Sequence, residues 1–296
     1  MRLSGVFAPI PTPFDESDRV DLVRLRKAIA RWMTGPLTGL VVLGSNGEAV
    51  LIDDDEADRV ITTAREAIPT DRPFIVGTGR ESTQATVRAT KRAADHGADA
   101  VLVRTPGFFK GQMTTDVFVR HYTTVADASP VPVLLYNFTA LTGVNLPVAA
   151  VSRLATHPNI IGLKESGGDI ATVSELVSST PADFNVLAGS AATFYAALCV
   201  GAVGGVLALS AVLPEPCKRL FELTGAGCHD EALAMHRQLM PMARLLGSAY
   251  GVPGLKAALN LLGYDVGVPR PPLTPLPEAG VAALREALAQ FEVIPA

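Results

Sequence analysis

The feature that most constrains this chain is a repeated alternation of short apolar runs with longer stretches of helical period. The runs are Val6–Ile10, Gly39–Leu43, Pro73–Gly77, Ala100–Arg104, Val131–Tyr136, Ile160–Lys164, Phe184–Ala188 and Gly205–Leu209. Each is too short and too apolar for a half-exposed antiparallel strand, so they read as parallel strands buried on both faces. Between them Leu22, Leu25, Ile29 and Trp32 share one helical face, and Asp53 with Glu56 forms a capping pair ahead of a second helix. Thr115–Ala126 sets Val117, Phe118, His121, Tyr122 and Val125 on one side, and Asp169 is placed to cap a helix with Ile170, Val173 and Val177 inward. Ala191–Val200 is apolar all round and is expected to be buried. Such a run of strand–helix units fits an α/β fold, a closed (β/α)8 TIM barrel with right-handed crossovers. A doubly wound open sheet is the alternative. The barrel is preferred because no dinucleotide fingerprint follows the first strand and polar residues gather beyond several different strands. Past Leu223 the alternation stops, and helical stretches Asp230–Gly247, Pro253–Gly263 and Pro277–Phe291 follow. The expected organisation is a barrel over 1–223 and a C-terminal helical extension over 224–296.

Composition narrows the function. A hydrophobic fraction of 48% supplies a large core, and a formal charge of −4 gives no basic face for nucleic acid. No apolar run reaches the ~18 residues of a spanning helix, so no membrane is expected. Cys199, Cys217 and Cys228 are odd in number, lack Cys-x-x-Cys spacing, and suit a reducing compartment. The first residues run into a strand without a signal-like apolar region, so the expected location is cytoplasmic. The histidines His96, His121, His157, His229 and His236 show no metal-ligand spacing. Gly77-Thr78-Gly79 is half a dinucleotide loop in the wrong setting. No metal and no cofactor are expected.

Barrel enzymes carry their reacting groups at the carboxyl ends of the strands. Those ends here offer Thr12, Gly44-Ser45-Asn46-Gly47-Glu48, Gly77-Thr78-Gly79, Thr105, Tyr136-Asn137, Lys164-Glu165-Ser166, Gly189-Ser190 and Ser210. Lys164 is the anomaly, since an amine closing an apolar strand loses hydration there. Either its head reaches water, or its burial favours the uncharged form that attacks a carbonyl. One amine, one phenol and a ring of hydroxyls and glycines suit carbonyl chemistry through an iminium. The glycine turn Gly44–Glu48 can hold a carboxylate on backbone N–H groups; as an ordinary strand-to-helix turn it would do nothing. Glu48, Glu165 and Asp169 are equally placed to cap or orient helices.

These residues resemble the dihydrodipicolinate synthase/N-acetylneuraminate lyase family of pyruvate-dependent class I aldolases. The pieces that carry the resemblance are Gly44–Glu48, Tyr136-Asn137 with Thr142-Gly143, Gly162–Ser166, Leu187–Ser190, Gly201–Gly205 and Pro253–Lys256, in order along nearly the whole chain. The resemblance implies a (β/α)8 barrel with a C-terminal helical extension, assembled as a homotetramer built of dimers. It implies that Lys164 forms a Schiff base with a small 2-oxoacid and that Tyr136 moves protons. It also implies that the Ser45/Asn46/Gly47 loop holds the carboxylate and that Gly189 and Val206 line the ketoacid. Within the family, Gly44–Glu48, Glu81–Thr86, His157–Ile160 and Lys164–Asp169 resemble the 4-hydroxy-2-oxoglutarate aldolase branch. The synthase branch typically has an arginine where Leu141 stands and a tyrosine where Phe108 stands. Ala140–Gly143 resembles the sialic-acid lyase branch, and Thr139 replaces a usual proline.

The expected activity is therefore cleavage of a 4-hydroxy-2-oxoacid to pyruvate and an aldehyde, with Ser166 and Leu141 near the second half of the substrate. The alternatives are a 4-hydroxy-tetrahydrodipicolinate synthase or sugar-acid lyase or dehydratase of the same family, and, in another class, a non-catalytic ketoacid-binding protein.

Overall fold

The computed structural model describes residues 1–291. Eight strands close a barrel in sequence order: β1 (Gly5–Pro9), β2 (Gly39–Val42), β3 (Phe74–Gly77), β4 (Ala100–Arg104), β5 (Val133–Asn137), β6 (Ile160–Glu165), β7 (Asn185–Ala188) and β8 (Gly204–Val206). Every pairing is parallel, and β1 meets β8 through Gly5↔Gly204 and Val6↔Gly205. That seam closes on glycine for a steric reason. A Cβ on Gly204 would stand 2.1 Å from the Gly5 carbonyl oxygen.

The apolar strands divide their side chains between two cores. Ala100 and Leu102 of β4 point into the barrel with Phe7, Val41, Ile75, Leu134, Tyr136, Leu187 and Val206. Val101 and Val103 point outward, into the larger cluster shared with the helices. This period of two is what a strand buried on both faces requires. The helices start where the sequence places caps. Asp53 and Glu56 form both arms of a capping box on Asp54–Ala67, and Asp169 accepts from the Ala171 and Thr172 amides at the head of Ile170–Ser178. After the barrel come helices His229–Arg244, Gly251–Leu261 and Glu278–Ala289, the C-terminal helical extension. Among the described residues no helix is long and apolar enough to cross a membrane.

Two sequence expectations need correction. The last strand ends at Val206 rather than Leu209, and Ala208–Val212 is helical. A short buried apolar run has no period that separates strand from helix. Ala191–Val200 is also not buried all round. It is a 3-10 turn followed by helix Phe194–Cys199, with only Phe194 and Ala197 buried and Cys199 exposed. One layer of helix on a barrel covers one face, so the surplus apolar residues face outward.

Candidate active site

The pairing of β5 with β6 brings the phenol and the amine together. Tyr136 and Lys164 are register partners, both nearly buried at 4% and 5% exposure. Lys164 Nζ lies 4.3 Å from the centre of the Tyr136 ring. Lys164 points inward because β6 carries an irregularity. The pairing steps from Val133↔Ile160 to Leu134↔Gly162, which admits one extra residue, Ile161. Ile160 packs outward with the helices, so plain alternation from it would send Lys164 outward as well. The bulge resets the phase, and Lys164 joins the inward set of Leu134 and Tyr136.

The turn after β2 faces this pair. Ser45 Oγ and Tyr136 Oη are 3.0 Å apart. The turn is held by its own backbone: the Gly47 N–H donates to the Gly44 carbonyl and the Glu48 N–H to the Ser45 carbonyl, each at 3.1 Å. The Thr12 hydroxyl donates to the Gly47 carbonyl at 2.8 Å, and Asn46 Nδ2 to the Pro9 carbonyl at 3.4 Å. Among the described residues the N–H groups of Ser45 and Asn46 donate to no protein acceptor. Two such donors side by side at a glycine turn are able to receive an anion.

Gly189, just after β7, has no room for a side chain. A Cβ there would stand 1.8 Å from Ser166 Oγ. That hydroxyl is buried and has no hydrogen-bond partner among the described residues. A buried hydroxyl with none is a group that a ligand can satisfy. Val206 shares the inner cluster with Tyr136 and Leu187. Leu141 stands apart from this group, 64% exposed on the short helix Thr139–Thr142 at the rim.

Glu165 and Asn137, left without a role by the sequence, tie the two strand ends. Asn137 Nδ2 donates to Glu165 Oε2 at 2.8 Å, and the Gly167 N–H donates to Oε1 at 2.5 Å. Burial raises the Glu165 carboxyl above the usual range, against the pull of those two donors. Arg104 is likewise engaged, donating to Glu81 at 2.8 Å, while Glu81 accepts the Gly107 and Phe108 N–H groups. Lys256 and Arg270, which sequence reasoning passed over as functional residues, close on the back of the Gly44–Glu48 turn. The one signal for Arg270 was a lone cation inside the Pro-rich loop Val268–Pro277.

A barrel that brings an amine, a phenol and a glycine turn together matches known proteins along nearly its whole length. The profile of the Dihydrodipicolinate synthetase family matches residues 2–291. The chain belongs to that family. Dihydrodipicolinate synthetase family membership makes it an enzyme, a carbon–carbon lyase of the pyruvate-dependent class I aldolase type. It is 35% identical to a 4-hydroxy-tetrahydrodipicolinate synthase of Exiguobacterium sp., covering 98% of this chain and 99% of that one. It is also 35% identical to a probable mitochondrial 4-hydroxy-2-oxoglutarate aldolase of Emericella nidulans, covering 97% and 94%. In structure it is similar to the chloride-inhibited dihydrodipicolinate synthase of Acinetobacter baumannii complexed with pyruvate, with a TM-score of 0.93, 29% identity, and 98% and 99% of the two chains covered. Equal identity to a synthase and an aldolase leaves the choice of branch to the site.

Proposed function

We propose that this enzyme cleaves a 4-hydroxy-2-oxoacid of the 4-hydroxy-2-oxoglutarate type to pyruvate and an aldehyde, through a Schiff base on Lys164. The observation that carries the reading is the Lys164–Tyr136 pair inside the barrel, with Nζ 4.3 Å from the ring and the phenol 3.0 Å from Ser45. The free amine attacks C2 of the substrate, and the carbinolamine loses water to give a protonated imine. Tyr136 relays the proton of the C4 hydroxyl, the C3–C4 bond breaks, and its electron pair moves into the iminium as the aldehyde leaves. The enamine is protonated at C3, and water hydrolyses the imine to release pyruvate and the amine. The N–H groups of Ser45 and Asn46, with Gly47 giving the turn its closeness, hold the α-carboxylate. Gly189 and Val206 bound the ketoacid. Ser166 offers the donor that the distal end of the substrate needs, and Leu141 shapes the rim.

Borohydride with pyruvate is the direct test. It is expected to fix an adduct on the wild type and none on Lys164→Ala, and an adduct that persists in that variant refutes the assignment. The second reading is condensation of pyruvate with aspartate semialdehyde, favoured by the similarity to the Exiguobacterium synthase. Exposed, uncharged Leu141 supplies no cation for the carboxylate of aspartate semialdehyde, and it equally leaves the distal carboxylate of a 4-hydroxy-2-oxoglutarate-type substrate to donors such as Ser166, so the assay decides the branch. Pyruvate release from a panel of 4-hydroxy-2-oxoacids, set against pyruvate uptake with aspartate semialdehyde, separates the two. We also propose a homotetramer in the cytoplasm, supported by the family and by exposed Phe108 and Phe109.

A further inference from the structure

Behind the Gly44–Glu48 turn lies a charge pair that the reaction does not use. Glu48 is 2% exposed, and Lys256, from helix Gly251–Leu261, only 1%. Glu48 Oε1 stands 2.7 Å from Lys256 Nζ. Lys256 also donates to the Val268 carbonyl at 2.9 Å and lies 4.3 Å from the centre of the Phe14 ring. The other carboxylate oxygen of Glu48 accepts the backbone N–H of Arg270 at 2.8 Å. The Arg270 guanidinium in turn donates to both oxygens of Glu56, at 2.7 and 2.6 Å, and to the Leu51 carbonyl at 2.7 Å. The C-terminal extension thus grips the segment from 48 to 56 at both ends.

Stability alone does not call for such a pair, because apolar residues of similar volume replace buried ion pairs without loss in many proteins. Its effect on local geometry is specific. Glu48 has a φ of 56°, in the left-handed region that side chains other than glycine avoid. Residues stay there only when their surroundings over-determine them. At that φ the Glu48 N–H turns back onto the Ser45 carbonyl, and the Ser45 and Asn46 N–H groups are left to the mouth. A carboxylate fixed from two sides supplies the over-determination.

We propose that Lys256 is a positioning residue, which acts through Glu48 to hold the Ser45–Gly47 turn in the shape that receives a ketoacid carboxylate. The proposal rests on the reading of that turn as the carboxylate site. Burial pulls the Lys256 ammonium down to about 8, and the Glu48 carboxylate opposes the fall, so the pair is charged on the lysine side at neutral pH. A cavity of about 320 Å³ opens beside Lys256, lined also by Asn260 and Val268. Truncating Lys256 extends it to Glu48.

The test measures borohydride trapping against pyruvate concentration for Lys256→Met, Lys256→Ala and the doubly neutral Glu48→Gln with Lys256→Met. Half-saturating pyruvate is expected to rise about tenfold or more, with the rate at saturation held within about threefold, because ground-state binding is what is lost. Trimethylammonium, which forms no imine, is expected to lower the half-saturation of Lys256→Ala again. Unchanged half-saturation in a folded variant overturns the proposal, and so does a saturated rate that falls while half-saturation holds. If Lys256→Met does not fold, the doubly neutral variant decides by the same readings, since it leaves no charge buried alone. No adduct on the wild type sinks the aldolase reading itself. An adduct there with no change in the variants sinks only the role of Lys256.

Discussion

Tyr136→Phe keeps the ring beside Lys164 and removes only the hydroxyl that meets Ser45 at 3.0 Å. Proton transfer by a positioned side chain contributes about 10²–10⁴ in rate, so kcat/KM for cleavage is expected to fall by that order while pyruvate is still trapped on Lys164. Loss of trapping in this variant would place the phenol in imine formation rather than in bond cleavage. Gly189→Ala drives a Cβ toward Ser166 Oγ, and overpacking of this kind costs about 1–3 kcal/mol. A lower melting temperature together with weaker pyruvate trapping is expected, and an unchanged protein would mean that the Ser166 side chain gives way. At this scale the site was half legible. Lys164 stood out because an amine has no ordinary business at the end of an apolar strand, Tyr136 and Ser45 followed from their places at neighbouring strand ends, and Gly189 entered through the family resemblance. Lys256 did not stand out. A lysine on a helix normally reaches water, and nothing local signals that this one meets Glu48 in the interior.

Among the elements, β6 depends on its bulge. Beyond Gly162 its pairing with β5 and β7 is regular, so deleting Ile161 removes the irregularity and leaves Lys164 beside Tyr136. Inserting one alanine between Leu163 and Lys164 instead moves the amine to an outward position. Trapping is expected to survive the deletion and to vanish on the insertion, and the reverse pattern would disprove the phase argument. The contact of helix Thr115–Ala128 with Thr83–Asp95 should carry a pH signature. His121 is buried there, with Nδ1 2.9 Å from Thr83 Oγ1 and Nε2 unpartnered among the described residues. Burial pulls it down to about 4 from 6.5, with Glu81 opposing. The unfolded chain therefore takes up a proton on this ring between pH 6.5 and 4 that the folded chain refuses. Stability from this group is present above 6.5 and lost as pH falls through 4, by about 3 kcal/mol. Urea unfolding at neutral and acid pH is expected to show a smaller difference in His121→Gln than in wild type. Helix starts were legible at this scale because capping is a local bond, as Asp53 with Glu56 shows. The run Ala208–Val212 was not, because burial erases the polar half of any pattern that would tell a helix from a strand.

For the whole molecule, the closed barrel was legible from the recurrence of short apolar runs, whereas the surface it leaves uncovered was not. Phe108, Phe109 and Leu141 are exposed at the rim, an apolar area that a second copy would cover. Light scattering on Phe108→Asp with Phe109→Asp is expected to show a smaller particle than wild type at equal concentration, and equal masses would remove these side chains from the contact. The grip on the turn after β2 comes from residues far along the chain, with Arg270 and Glu48 separated by 222 positions. A ribosome releases the barrel strands well before it releases their brace. A nascent chain would therefore carry Lys164 and Tyr136 before it carries the residues that brace the turn facing them.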